Sequence, residues 1–363
     1  RPPRSTLFPY TTLFRSLTNV MLKNASTSGA LAEVLNGATI NNIVASGFIS
    51  VDSGAKDSAF GGIIGRMPSG KISNCKNYVK IDYTGTDSNV KVGGIVGCAE
   101  GDTQSNPSDT QVKTLQSSDK KDTKLYQVVI EDCYNYSPLQ NNSEKAVIGG
   151  IIGKVAKSIG NDLTLINNCG NMNSVIAGYT NSSGSTNYCA GGIVGYVAAL
   201  TKLTNSYNTA MVKAGNKAND SPSYAGGIVG YAGEGGSNIS GSQNLYNSGV
   251  IEALGKNISF AFTGSQCKEI NYNDFQDGNN KYTYQHYENE DVEVGILYPL
   301  YKGKRKVQIK ILRKVNVYAD GIIGSTTFNI NPNGINNYQS DGQVVRNGVY
   351  TNNNGEFKGY DWD

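Results

Sequence analysis

The side chains able to do chemistry are few and scattered. Six cysteines include no Cys-x-x-Cys pair, so the usual spacing of a thiolate metal site is missing. Cys75, Cys133 and Cys169 each follow an Asn or Asp at one recurring position that Ile43 and Leu245 also occupy. They read as small core residues, with a stacked disulfide as the competing reading. Cys98, Cys189 and Cys267 occupy unrelated positions and carry no reading. His286 is the only histidine, which excludes a multi-histidine metal site and leaves a Ser-His-Asp or Cys-His arrangement without local support. Glu131 and Asp132 are neighbours, and neighbours on a strand point to opposite faces. They therefore do not make the carboxylate pair of a polysaccharide hydrolase or lyase. No Asp-rich calcium loop occurs. The expectation is a chain with no catalytic residues, no cofactor and no metal.

Tyrosines give a better signal. The position two residues after the first member of a recurring Asn-x-x-Asn box holds Val44, Lys76, Tyr134, Gly170, Tyr207 and Tyr246. This column should face solvent. Tyr196 and Tyr231 form a second, shorter one. Exposed tyrosine rows suit contact with sugars or proteins, because the ring offers apolar area and the hydroxyl a polar handle. Cross-coil stacking that only stabilises a sheet is the plainer reading, and we favour it at this stage. The basic run Lys302, Lys304, Arg305, Lys306, Lys310, Arg313 and Lys314 could attract an anionic glycan or nucleic acid. We read it instead as a charged edge that keeps a strand from pairing with other molecules.

These positions are recognisable because the chain repeats. Gly-Gly-Ile-(Ile/Val)-Gly occurs five times: with glycines Gly61, Gly62 and Gly65; Gly93, Gly94 and Gly97; Gly149, Gly150 and Gly153; Gly191, Gly192 and Gly195; and Gly226, Gly227 and Gly230. A shortened copy lies at 321–324. Each stretch precedes an Asn-x-x-Asn box, at 74–77, 132–135, 168–171, 205–208 and 244–247, and a degenerate box sits at 42–45. The closest glycine stretches start 32 and 35 residues apart, a period that points to a solenoid. Residues two before and seven after the first box position are apolar in nearly every copy, Ser242 excepted. Spacings of three and four sustained over several turns are absent, so helices are not expected.

The chain is therefore read as all-β, a parallel β-solenoid (β-helix) of about seven coils with loop insertions. The box asparagines Asn77, Asn135, Asn171, Asn208 and Asn247 should form an amide ladder from coil to coil. The glycines imply a tight bend or a close approach of backbone. Which of the two aliphatic residues points inward is left open. No Lys-Ser/Thr follows the glycines, so a phosphate loop is rejected. The segments are residues 1–16, set aside; 17–254, the solenoid; 255–320, a β-rich insertion holding a hairpin around 297–311; and 321–363, a final degenerate coil and cap. Polar insertions are expected at 101–124, 181–187 and 215–223.

With 44 glycines, charged residues at 17%, a net charge of +3 and mean hydropathy of −0.37, the chain is neither a charged disordered tail nor a helical membrane protein. Bulk charge gives little reason to expect nucleic acid. Residues 7–16 (LFPYTTLFRS) resemble the translation of a common sequencing adapter, which marks them as an artefact of a metagenomic fragment.

The glycine stretch followed by an Asn-Ser-Tyr-Asn-x-Gly/Ala-x-Val box resembles the GLUG motif, over residues 29–254 and again near the C-terminus. Arrays of that motif occur in large bacterial surface proteins, including some IgA-cleaving peptidases and many adhesin-like proteins. The resemblance implies an extracellular, cell-attached repeat region with no catalytic residues of its own. Signal peptide and anchor are then expected outside this sequence. The expected role is a non-enzymatic stalk or adhesive surface, and the alternative a glycan-binding module using the tyrosine column. A polysaccharide lyase or hydrolase is the weakest reading. Expected partners are host or bacterial glycans or surface proteins.

Overall fold

The computed structural model describes residues 16–53, 56–85, 87–99, 115–116, 125–156, 164–178, 187–216, 222–233, 239, 241–255, 257–261, 268–270, 294–297, 305–314, 317–320, 323–326, 335–340, 342–346 and 349–351. The first fifteen residues, His286, Cys267 and most of the polar insertions lie outside these. All regular structure among the described residues is β. Two sheets of seven parallel strands and one larger sheet stack the same segment of successive coils, so the chain is a parallel β-solenoid of seven coils.

Each coil begins with a strand of sheet 1 that ends on the first glycine, such as Lys91–Gly93 or Val147–Gly149. A sharp corner follows, and the chain returns along sheet 2, as in Val96–Ala99 or Ile152–Val155. It then runs along sheet 3, which carries the boxes, for example Val128–Glu131, Tyr134–Asn135 and Leu139–Asn141. Register is held residue by residue: Gly61, Gly93, Gly149, Gly191 and Gly226 form one column.

The glycines are required by proximity, since none of the repeat glycines has a positive φ. A β-carbon on Gly93 would stand 1.9 Å from the Val96 carbonyl oxygen, and one on Gly97 2.6 Å from the Phe60 nitrogen. Sheets 1 and 2 thus touch backbone to backbone beside the corner. Both aliphatic residues of the stretch are buried: Ile63, Ile64, Ile95 and Val96 are all 0% exposed. The glycine stretch is therefore a corner with its apolar residues turned into the core.

The box works through different physics at its two ends. Its first residue, Asn42, Asn74, Asp132, Asn168, Asn205 or Asn244, lies at φ between 50° and 62°. Asn and Asp tolerate this left-handed conformation better than other non-glycine residues. The next residue points inward, so Ile43, Cys75, Cys133, Cys169, Ser206 and Leu245 are all buried. The last box residue makes the ladder. Asn77 Nδ2 donates to Asn135 Oδ1 at 2.8 Å, Asn135 to Asn171 at 2.8 Å, Asn171 to Asn208 at 2.7 Å and Asn208 to Asn247 at 2.8 Å. The same Nδ2 atoms donate to carbonyls two residues on, at Val79, Ser137, Asn173, Ala210 and Gly249. Five carboxamides that are 0% exposed are thereby satisfied without water.

The last coil starts earlier than its glycines suggest. Val317–Asp320 joins sheet 1 beside Ser223–Gly226, taking four residues that the sequence assigns to the insertion. Ile335 aligns with Ser242 and Val344 with Ile251, as the repeat spacing requires. Within the insertion, Val294–Leu297 pairs antiparallel with Arg305–Lys314, the expected hairpin. The described part of the basic run, Arg305–Lys314, is not an edge, however. Arg305–Lys314 also pairs with Asn257–Ala261 and Lys268–Ile270, which makes it the central strand of its sheet. Sequence alone offered no sign of those partners, which lie 35 or more residues away along the chain. The insertion at 101–124 carries the strand Leu115–Gln116, which pairs antiparallel with Leu125–Tyr126.

Candidate binding surfaces

Of the residues weighed for catalysis, Glu131 and Asp132 are engaged in separate contacts. Glu131 is 1% exposed and ion-pairs with Lys71 at 2.7 Å. Asp132 turns the corner and accepts from Asn168 Nδ2 at 2.6 Å. Cys75, Cys98, Cys133, Cys169 and Cys189 are free thiols and buried. Cys75, Cys133 and Cys169 stack on the inner face of sheet 3, with their thiols directed at the carbonyls of Ser73, Glu131 and Asn167. Burial, and then hydrogen bonding to Cys169, hold the Cys133 thiol well above the ordinary thiol range. Among the described residues no group of three or more His, Cys, Asp or Glu is placed to hold a metal ion.

The outer face of sheet 3 carries the first tyrosine column in the expected register: Lys76 beside Tyr134, Tyr134 beside Gly170, Gly170 beside Tyr207, and Tyr207 beside Tyr246. Tyr134 and Tyr207 are brought together although a coil separates them, with ring centroids 6.5 Å apart. Gly170 allows this, because a β-carbon there would stand 2.6 Å from Tyr207 Cζ. Burial, and then Tyr207 and Asp132, push the Tyr134 phenol up to about 12. Tyr246 continues the column and is 36% exposed.

Two tyrosines that the sequence reading missed enlarge this face. Tyr78 and Tyr136 stack at 4.9 Å with ring planes 7° apart, and Tyr78 is 43% exposed. They lie four residues after the first box position. A period of two puts that position on the same side as the column, so alternation could have found them.

The second column sits elsewhere. Tyr196 aligns with Tyr231 on sheet 2, with ring centroids 5.2 Å apart. Arg66, Cys98 and Lys154 precede them in the same column. Across the corner, sheet 1 presents Ala59, Lys91, Val147, Cys189 and Tyr224 in register. Tyr224 meets Tyr231 at 4.7 Å, and Lys154 Nζ lies 5.0 Å from the Tyr196 centroid. The outer faces of sheets 1 and 2 therefore meet along an axial seam beside the glycine corner, where Lys91, Cys98, Val147 and Cys189 are buried. Cys98 and Cys189, uninterpretable in sequence, line it. Their positions are fixed relative to the glycine stretch, one just after it and one two residues before it, which is the signal that locates them.

No family model, curated protein or solved structure matches the chain.

Proposed function

We propose that the chain is a non-enzymatic repeat segment of a secreted or surface-attached bacterial protein, and that the outer face of sheet 3 makes its contacts. The carrying observation is that five tyrosines, Tyr78, Tyr134, Tyr136, Tyr207 and Tyr246, share that face on strands held in register by the buried ladder. A rigid row of rings offers apolar area with hydroxyls at its border, which suits the mixed faces of a sugar or the core of a protein contact. The resemblance to GLUG arrays supports the extracellular setting. The burial of Glu131 and the corner role of Asp132 speak against a carboxylate pair at these two residues.

A purely structural stalk is the second reading, favoured by Tyr207 lying over Gly170. Adhesion separates the two. Beads coated with the chain should adhere to glycan- or cell-coated surfaces, and beads coated with a variant carrying Tyr134→Ala, Tyr207→Ala and Tyr246→Ala should not, with circular dichroism unchanged. Equal adhesion by both would leave the stalk reading alone.

A further inference from the structure

The two ends of the solenoid are finished differently. At the C-terminal end Val349–Thr351 folds back antiparallel on Val344–Arg346, and Ala319 and Val344 of the last coil are buried. At the N-terminal end four strands are edges. Among the described residues, Ser16–Lys23, Ser28–Gly29, Ala32–Val34 and Ala38–Asn41 each pair on one side only. The core columns run out to this end and open there. Leu31 is 37% exposed, whereas Ile63, Ile95, Ile151, Ile193 and Ile228, at the same place in later coils, are all 0% exposed. Leu17, Leu22 and Ile40 are likewise only partly buried, although Ala45, Ile49 and Ile72 beside them are fully buried. The amide ladder stops short of this end, because Leu17 and Ala45 stand in the column that Asn77 continues. Lys23 and Glu33 are the only charges in the four strands, and none of the four holds a proline. Solenoids ordinarily finish with a polar outer face, and sheet edges are kept apart by charges and prolines. This end is instead an apolar cross-section bordered by strand edges.

We propose that it is covered by the same end of a second copy, in a two-fold dimer that sets Ser16–Lys23 antiparallel to its own counterpart. The chain already covers its other end with an antiparallel strand, so the contact repeats one that it makes with itself. A bulge between Leu17 and Val20 leaves Val20–Lys23 as the regular stretch of the pairing edge. Head-to-tail stacking needs the last coil open in sheet 3, where Val349–Thr351 lies. An isologous contact has no such requirement and closes at two subunits. With the two-fold axis normal to sheet 3, both tyrosine faces look the same way. The dimer thus doubles that face, but its formation does not depend on the tyrosines.

Sedimentation velocity on the intact chain tests this, and the expected species has twice the mass of 38.7 kDa. Leu31→Glu should raise the dissociation constant of the dimer about tenfold or more, because it puts a charge into the apolar centre of the contact, while Tyr134→Ala should leave it within about threefold. Spin labels on Met21→Cys and, separately, on Val250→Cys, each in a Cys267→Ser background, report the orientation. Val250 lies six strand spacings of about 4.8 Å from Met21, so its two labels should be about 60 Å apart and the Met21 labels well under half of that. A chain that is monomeric at about 0.1 mM, an open-ended series of oligomers, a dimer unchanged by folded Leu31→Glu, or Val250 labels closer together than the Met21 labels would each overturn the proposal. Should Leu31→Glu fail to fold, the two label distances decide.

Discussion

Gly94 lies directly against the side-chain amide of Asn135: a β-carbon on Gly94 would stand 2.8 Å from Asn135 Cγ and 2.0 Å from the Gly150 carbonyl oxygen. Gly150 meets Asn171 in the same way, and Gly192 meets Asn208. The two repeated motifs are thus halves of one contact across the coil. The amide needs a neighbour without a side chain, and the second glycine supplies it.

Gly150→Ala should therefore destabilise the chain by the upper end of the overpacking range, about 3 kcal/mol or more, because backbone on the next coil must move. Gly37→Ala provides the contrast. Gly37 lies at φ 69° with nothing near its missing β-carbon, so only the left-handed strain applies, ~1–2 kcal/mol. Urea unfolding of both variants checks the order, and equal losses would contradict the contact.

Asn171→Ala opens the middle of the ladder. It leaves Asn135 Nδ2 without its cross-coil acceptor and Asn208 Oδ1 without its cross-coil donor, both buried. At roughly 1–3 kcal/mol for each unsatisfied buried group, a loss of about 2–6 kcal/mol is expected. A lowered urea midpoint checks it, and a change below ~1 kcal/mol would mean that water or a shifted coil replaces the ladder.

The solenoid should lose stability in alkali. Burial raises the thiols of Cys133 and Cys189, the latter to about 12, and the phenols of Tyr134 and Tyr207. The native state then keeps protons that the unfolded chain releases near pH 8.5 for Cys and 10 for Tyr. This stabilisation is complete below those values and is lost as pH climbs toward 12. Lys91, whose pKa is lowered, has the opposite sign and offsets part of the loss as pH rises. Melting temperature should fall between pH 8 and pH 11, and a flat profile would contradict the burial of these groups.

The buried thiols should be inert in the native chain. Cys75, Cys98, Cys133, Cys169 and Cys189 should react with Ellman's reagent only after unfolding. Rapid reaction of any of the five in native buffer would show that the coils open there.

The repeat was legible because solenoid packing turns each position into a column, so one chain carries several readings of every environment. Ile72, Ile130, Ile166 and Leu203 announce their burial by recurring, and so do the ladder asparagines. Surface features recur only by chance. Tyr224 and Lys91 share a column with Ala59 and Val147, and no common chemistry marks that column in sequence. The facing of sheets 1 and 2 across the corner is a tertiary fact, so their seam was invisible until the coils were stacked. The basic strand Arg305–Lys314 misled for a related reason, since alternation reveals a strand but not which strands flank it.

The central claim, that the outer face of sheet 3 makes this chain's contacts, is tested most directly on a glycan array probed with the wild-type chain and with Tyr134→Ala, Tyr207→Ala and Tyr246→Ala singly. Binding to a defined set of glycans that drops at least fivefold in each folded variant is the predicted result. Wild-type binding that persists unchanged in all three, or a wild-type chain that binds nothing on the array, would contradict it.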